Sequence, residues 1–239
     1  LNGVPFFYEI LSKIGFEKFN LNSIKFFTQA GGHLNNFVKE KFYNYCEKNK
    51  KKFISMYGQT EATSRISYLD WKFAKSKIGS IGKVIPSGRM RIKRNKNKGE
   101  LIYFGKNVFL GYSNNYKDLS KEDENKGILK TGDLAKKDNN GFYYIIGRKN
   151  RYIKMFGHRI SLDDVEKRIS EKGINCACNG FENKLNIFYT KIEDKDKIMK
   201  ILLNVLKFKL KNINLIFLNK IPYSTNGKIL YTKLNEYNK

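Results

Sequence analysis

Cysteine and histidine are nearly absent from this chain: three cysteines (Cys46, Cys176 and Cys178) and two histidines stand among 239 residues. An odd cysteine count without a Cys-x-x-Cys pair supplies neither a disulfide framework nor a zinc site. Three reduced, buried thiols are the expectation. No apolar run reaches the roughly 20 residues that cross a bilayer, and no secretory signal opens the chain, which points to a cytoplasmic location. Acidic residues are scarce, 22 against 47 basic ones, for a net charge of +25. Such an excess favours anionic ligands and raises the question of nucleic acid. It is overwhelmingly lysine, however, spread along the chain beside abundant asparagine, with no RNA-recognition signature, zinc finger or basic amphipathic helix. Diffuse Lys, Asn and Ile enrichment fits drift in an AT-rich genome, so nucleic-acid binding ranks last among the readings. Internal repeats and low-complexity linkers are also missing. What is present, 41% hydrophobic and 14% aromatic residues, is enough for a core in one large or two medium domains.

The pattern along the chain predicts α/β structure first. A helix begins after Gly3-Val4-Pro5, a strand covers 24–28 and closes at Gln29-Ala30-Gly31-Gly32, and a helix runs from Asn35 to Asn49 with Phe37, Val38, Phe42 and Tyr45 on its buried side. A strand, Lys52 to Met56, then feeds the hexamer Tyr57-Gly58-Gln59-Thr60-Glu61-Ala62. From Ile78 to Ile146 the texture is that of β-hairpins, with Arg94 to Lys98 as a solvated tip and Asp138-Asn139-Asn140-Gly141 as a tight turn. A boundary is expected near Gly147 to Arg151. Beyond it, Ser161-x-x-Asp164 caps a helix to about Glu171, 174–178 and 185–189 read as paired strands, and 194–211 reads as a helix with Ile198, Ile201, Leu202, Val205, Leu206 and Phe208 apolar. A third strand covers 213–218, and a polar loop, Tyr223 to Lys228, leads to a short tail. The last ninety or so residues thus form a small α+β domain.

Five elements in this order carry chemistry. Ala30-Gly31-Gly32 at a strand end lets a flat ring lie against bare backbone. In the hexamer, a threonine hydroxyl that can donate to a phosphate oxygen stands beside a glutamate that can hold magnesium. Thr131-Gly132-Asp133 puts at a turn a carboxylate able to take both hydroxyls of a ribose. Gly147 to Ile160 is a basic loop after a strand. Asn226-Gly227-Lys228 presents one lysine as a movable point charge. Each alone is more often an ordinary turn; the ordered set is specific.

On these residues, together with Gly79-Ser80-Ile81-Gly82-Lys83, Gly99-Glu100-Leu101, Gly111-Tyr112 and Pro222 to Lys228, the chain resembles the adenylate-forming superfamily. That group contains acyl- and aryl-CoA synthetases, luciferase and the adenylation domains of nonribosomal peptide synthetases. The wording around Thr60 and from Lys154 to Ile160 looks closest to small stand-alone AMP-dependent ligases, with D-alanine–carrier-protein ligases similar too. The resemblance implies that residues 1–147 are the C-terminal portion of a large AMP-binding domain and 148–239 a small mobile domain. It implies a two-step reaction: a carboxylate attacks the α-phosphate of ATP to give an acyl-adenylate and pyrophosphate, and a thiol of CoA or a carrier protein then takes the acyl group. Thr60 would contact the α-phosphate and Glu61 would hold Mg2+. Gly31, Gly32, Tyr57 and Gly58, with Gln59 in the same motif, would line the nucleotide. Asp133 would bind the ribose with Arg148 assisting, and Lys228 would bridge carboxylate and phosphate. A swing of the small domain about Asn150 would then bring in the loop holding Lys154 and Gly157 for the thiol step. His33, Ile81 and the surroundings of Tyr57 would line part of the acid's pocket.

Two departures from the family pattern stand out. Its hinge is usually aspartate or lysine, where this chain has Asn150, a residue that tolerates unusual backbone angles. Its Gly/Ser/Thr-rich phosphate loop, well upstream of the Ala-Gly-Gly segment, has no counterpart here. Leu1 is therefore expected to start a fragment, a split gene product or an excerpt, with little full turnover by these residues alone. The alternative to an AMP-forming ligase is a non-catalytic remnant, or a module that binds nucleotide or carrier protein without turnover.

Overall fold

The computed structural model describes residues 1–93, 98–205, 212–225 and 227–237. It falls into two compact units, Leu1–Ile145 and Ile146–Lys239. The first begins as α/β structure. Strands β1 (Asn2–Gly3), β2 (Phe26–Gln29), β3 (Lys52–Tyr57), β4 (Ser67–Leu69) and β5 (Lys83–Val84) make one sheet in that order. The first three are parallel, and β4 and β5 return antiparallel. The parallel pairs need crossovers, supplied by α1 (Pro5–Ile14) and α2 (Asn36–Lys48). Pro5 opens α1 where a missing N–H costs nothing, and the Asn35 side chain caps α2 by accepting from the Phe37 amide at 2.9 Å. Tyr8, Phe16, Phe27, Phe42 and Phe53 fill the space between helices and sheet, with Phe16 stacked on Phe42 at 4.0 Å and Tyr8 edge-on to it at 4.8 Å.

The buried side of α2 differs from the expectation. It carries Lys39, Phe42, Tyr43 and Cys46, a stripe at three- and four-residue spacing. Val38 and Tyr45 pack at its margin, and Phe37 is 74% exposed. Composition favoured Phe37 over Lys39 for the core; helical geometry places them the other way round.

The β-rich part is a sheet in the order β6 (Arg89–Lys93), β7 (Lys98–Phe104), β8 (Ile128–Lys137), β9 (Tyr143–Arg148). Of the expected tip at Arg94 to Lys98, residues 94–97 lie outside the described residues and Lys98 opens β7. The Asp138 turn forms as read: its Oδ1 accepts from the amides of Asn140 and Phe142, and Gly141 takes φ +84°. Thr131-Gly132-Asp133 is not a turn. It lies inside β8, where Glu100 opposes Leu134 and Ile102 opposes Lys130, so that three residues face Leu101 alone. Gly132, at φ +69°, absorbs this bulge, a conformation that costs a side-chain-bearing residue free energy.

The second unit contains β10 (Tyr152–Met155), β11 (His158–Ser161), α3 (Leu162–Ser170), β12 (Cys176–Phe181), β13 (Lys184–Tyr189), α4 (Lys195–Val205), β14 (Ile213–Phe217) and α5 (Tyr231–Leu234). The sheet β12-β13-β14 pairs antiparallel, then parallel. The stretch read as a basic loop is the β10–β11 hairpin, turned by Phe156 and Gly157, both at positive φ. Its period-two burial of Ile153 and Met155 was masked by the lysine between them and the arginines at either end. Ser161 caps α3 by accepting from the Asp164 amide at 3.2 Å. The helix expected over 194–211 is α4; Leu206 and Phe208 fall outside the described residues, as does the side chain of Val205. The tail holds a helical turn, α5, that the sequence did not announce. All three cysteines are free and buried. Among the described residues no helix is long and apolar enough to cross a membrane.

Candidate nucleotide site

In a parallel pair the strand ends lie side by side. Gln29 of β2 is in register with Ser55 of β3, so two residues further on Gly31 and Tyr57 leave the sheet along the same edge. The buried Gln29 side chain donates to the Gly32 carbonyl at 2.8 Å and fixes the Gly31-Gly32 corner, whose glycines are exposed. His33 follows, also exposed, and Ile81 packs partly buried in the cluster that includes Tyr57 and Tyr143.

The hexamer forms a closed loop. The Ile66 amide donates to the Tyr57 carbonyl at 2.8 Å, and Thr60–Ala62 make one 3-10 turn that ends with Thr63 and Ser64 at positive φ. Gly58 is required by the chain itself. A Cβ there would sit 2.1 Å from the Ser64 carbonyl oxygen, so the close approach expected for a ligand is already made by backbone. Ala62 is fully buried beneath. From outside, the Asn107 side chain donates to the Ala62 carbonyl at 2.8 Å and the Phe109 amide to the Glu61 carbonyl at 2.9 Å. Thr60 is left exposed, and Glu61 half-buried.

Asp133 reaches this loop from β8. Its Oδ2 accepts from the Tyr57 hydroxyl at 2.6 Å and from Gln59 Nε2 at 3.1 Å, while the same Gln59 nitrogen donates to the Thr131 carbonyl at 2.8 Å. The Thr131 hydroxyl donates to the Leu101 carbonyl at 2.8 Å and accepts from the Asp133 amide at 3.1 Å, which stitches the bulge to β7. Asp133 is 4% exposed. Tyr57, Gln59 and Asp133 therefore meet at one point.

Two contributors were not among the candidates. The Tyr112 hydroxyl donates to Glu61 Oε1 at 2.7 Å, and that hydrogen bond raises the Tyr112 pKa. Gly111-Tyr112 had the family wording but gave no hint of this contact. Asn107 had no local signal at all. No group of three or more His, Cys, Asp or Glu side chains gathers for a metal among the described residues. Glu61 offers one carboxylate, oriented by Tyr112. Such a donor set fits a cation that takes its remaining ligands from phosphate and water, as magnesium does.

The other candidates lie in the second unit. Arg148, the last residue of β9, and Asn150 in the turn after it are exposed; the Arg151 amide donates to the Arg148 carbonyl, and Asp163 Oδ2 accepts from the Arg148 amide at 2.7 Å. Lys154 stands on the exposed face of β10, Gly157 in the hairpin turn, and Lys228 exposed in the loop before α5.

A parallel-edged α/β sheet, a bulged β-sheet that delivers a carboxylate to its edge, and a small α+β unit make up this architecture. Residues 1–113 match the AMP-binding enzyme family, in line with a resemblance to the adenylate-forming superfamily. It is 27% identical over 246 residues to the probable 4-coumarate–CoA ligase 1 of Dictyostelium discoideum, covering 93% of this chain and 43% of that protein. It is 31% identical over 127 residues to the 2-succinylbenzoate–CoA ligase of Bacillus licheniformis, 51% of this chain and 26% of that one. The Bacillus subtilis o-succinylbenzoate CoA synthetase, solved with its acyl-adenylate intermediate, superimposes with a TM-score of 0.74 at 25% identity over 98% of this chain and 50% of its own. An amide bond synthetase from Marinactinospora thermotolerans shares the fold at 15% identity, with a TM-score of 0.77 and 99% of this chain covered. The chain thus spans about half or less of the length of these proteins.

Proposed function

We propose that this chain forms part of an ATP-dependent, AMP-forming carboxylate–thiol ligase. Residues 1–147 would be the C-terminal portion of its large AMP-binding domain and 148–239 its small mobile domain. The observation that carries the reading is the convergence of Tyr57 and Gln59 on Asp133 at the end of β3. Two neutral donors on one oxygen aim a buried carboxylate, which suits the paired hydroxyls of a ribose.

In this reading the adenine lies against Gly31, Gly32, Tyr57 and Gly58, and Arg148 assists Asp133 at the ribose. Attack by the substrate carboxylate builds negative charge on the α-phosphate. The Thr60 hydroxyl donates to that phosphate, and Glu61 would hold a magnesium ion, which would supply Lewis-acid charge there. Lys228 pairs with both the attacking carboxylate and the phosphate during adenylation. In the thiol step Lys154 and Gly157 take its place beside CoA or a carrier-protein pantetheine, and Asn150 is the hinge. The relatives named as CoA ligases favour CoA as acceptor. The lack of a membrane-crossing helix among the described residues agrees with a cytoplasmic enzyme.

The test is acid-dependent ATP–pyrophosphate exchange by the full-length protein across a panel of carboxylic acids. Exchange that needs one acid class and drops at least about a hundredfold in Lys228→Ala supports the proposal. Equal rates in wild type and Lys228→Ala would remove that lysine from the reaction.

A further inference from the structure

The loop that bears Lys228 stands on two tyrosines. Between them it is a closed hairpin: the Ser224 amide donates to the Lys228 carbonyl at 2.8 Å, the Lys228 amide to Ser224 Oγ at 3.1 Å, and the Leu230 amide to the Pro222 carbonyl at 2.9 Å. At one foot the Tyr223 hydroxyl donates to Asn175 Oδ1 at 3.0 Å. At the other, the Tyr231 hydroxyl donates to Glu166 Oε2 at 3.0 Å. Glu166 is the hub of the second foot. Its Oε1 accepts from Arg151 Nη2 at 2.7 Å and from the Cys178 amide of β12. The Arg151 guanidinium lies 3.7 Å from the centre of the Tyr231 ring and also pairs with Asp163. Tyr231 follows Lys228 by three positions.

A cluster of this kind is a poor source of stability, because desolvating the charges offsets their attraction. Burial indeed pushes the Glu166 carboxyl pKa up against the pull of Arg151. The apolar packing is supplied separately, by Ala177, Phe188, Leu218, Ile221 and Leu234 around the same segment. What the cluster adds is direction: a ring clamped by its face and its hydroxyl fixes where the loop leaves the unit.

We propose that Tyr231 and Glu166 are positioning residues for Lys228, setting its geometry for adenylation; this rests on the role proposed above for that lysine. Tyr231→Phe keeps the ring over Arg151 and removes only the tether. In the full-length protein, hydrogen exchange at the amides of Lys228 and Leu230 should quicken at least about fivefold, with β12–β14 unchanged. The kcat of acid-dependent ATP–pyrophosphate exchange should fall about tenfold with KM values for ATP and acid within about twofold, the size expected for one hydrogen bond to a charged group. Transfer to a thiol from supplied acyl-adenylate should be unaffected. Unchanged loop exchange, or an equal loss in both half-reactions, overturns the proposal. Quickened loop exchange in a protein whose wild type exchanges no pyrophosphate with any acid leaves the tether standing and removes the adenylation role.

Discussion

The Tyr57 hydroxyl donates to Asp133 Oδ2 at 2.6 Å across 76 positions of sequence, joining the end of a parallel strand to a bulge in a separate antiparallel sheet. Tyr57→Phe keeps the Gln59 hydrogen bond to that oxygen and should weaken AMP binding about three- to tenfold by calorimetry, with little change in thermal midpoint. Wild-type affinity in the variant would mean that the tyrosine does not orient the carboxylate for nucleotide.

Gly58 and Gly132 demand glycine for different physical reasons, and the two alanine variants should separate them. At Gly132 nothing lies within 4 Å of an added Cβ, so Gly132→Ala meets only the strain of φ +69° and should cost about 1–2 kcal/mol in urea denaturation. At Gly58 an added Cβ meets the Ser64 carbonyl, so Gly58→Ala must displace the Thr60–Glu61 turn. It should abolish exchange activity even if the protein remains folded by circular dichroism. The reverse order of damage would contradict this assignment.

Lys39 is 5% exposed in α2, and burial brings its pKa down from 10.5 to about 8. The unfolded chain keeps the proton up to the higher value. The penalty is therefore fully present below pH 8 and fades as the pH rises toward 10.5. Lys39→Met should be more stable than wild type by about 1–3 kcal/mol at neutral pH, and its advantage should shrink in alkaline urea titrations. A pH-independent difference between the two proteins would show that burial does not lower the pKa of this lysine.

Arg151 is the cation paired with buried Glu166. Arg151→Met should destabilise the second unit by about 3–5 kcal/mol because it strands a carboxylate, and adding Glu166→Met should restore much of the loss. Differential scanning calorimetry reads both. Additive losses in the double variant would show that the pair is not coupled.

Local chemistry wrote much of this architecture legibly. Pro5 and Asn35 mark helix starts, Asp138 to Gly141 marks a turn and Ser161 a cap, each through contacts within a few residues. What stayed hidden depends on distant partners. The bulge at Gly132 exists only in register with Leu101, and a Thr-Gly-Asp tripeptide by itself reads as a turn. The β10–β11 hairpin was obscured by its basic composition, and α5 is too short to show periodicity. The candidate residues Gly31, Tyr57 and Asp133 were singled out by motif, but Tyr112 on Glu61 and Asn107 on the loop required the fold.

The bulge also bears on when the proposed nucleotide site would form. Asp133 is aimed only after β7 and β8 have zipped in their shifted register and met a loop far away in sequence. Such non-local contacts form late. During refolding, helical signal from α1 and α2 should recover before the protein can retain AMP, so nucleotide capture serves as a clock for the last step of assembly.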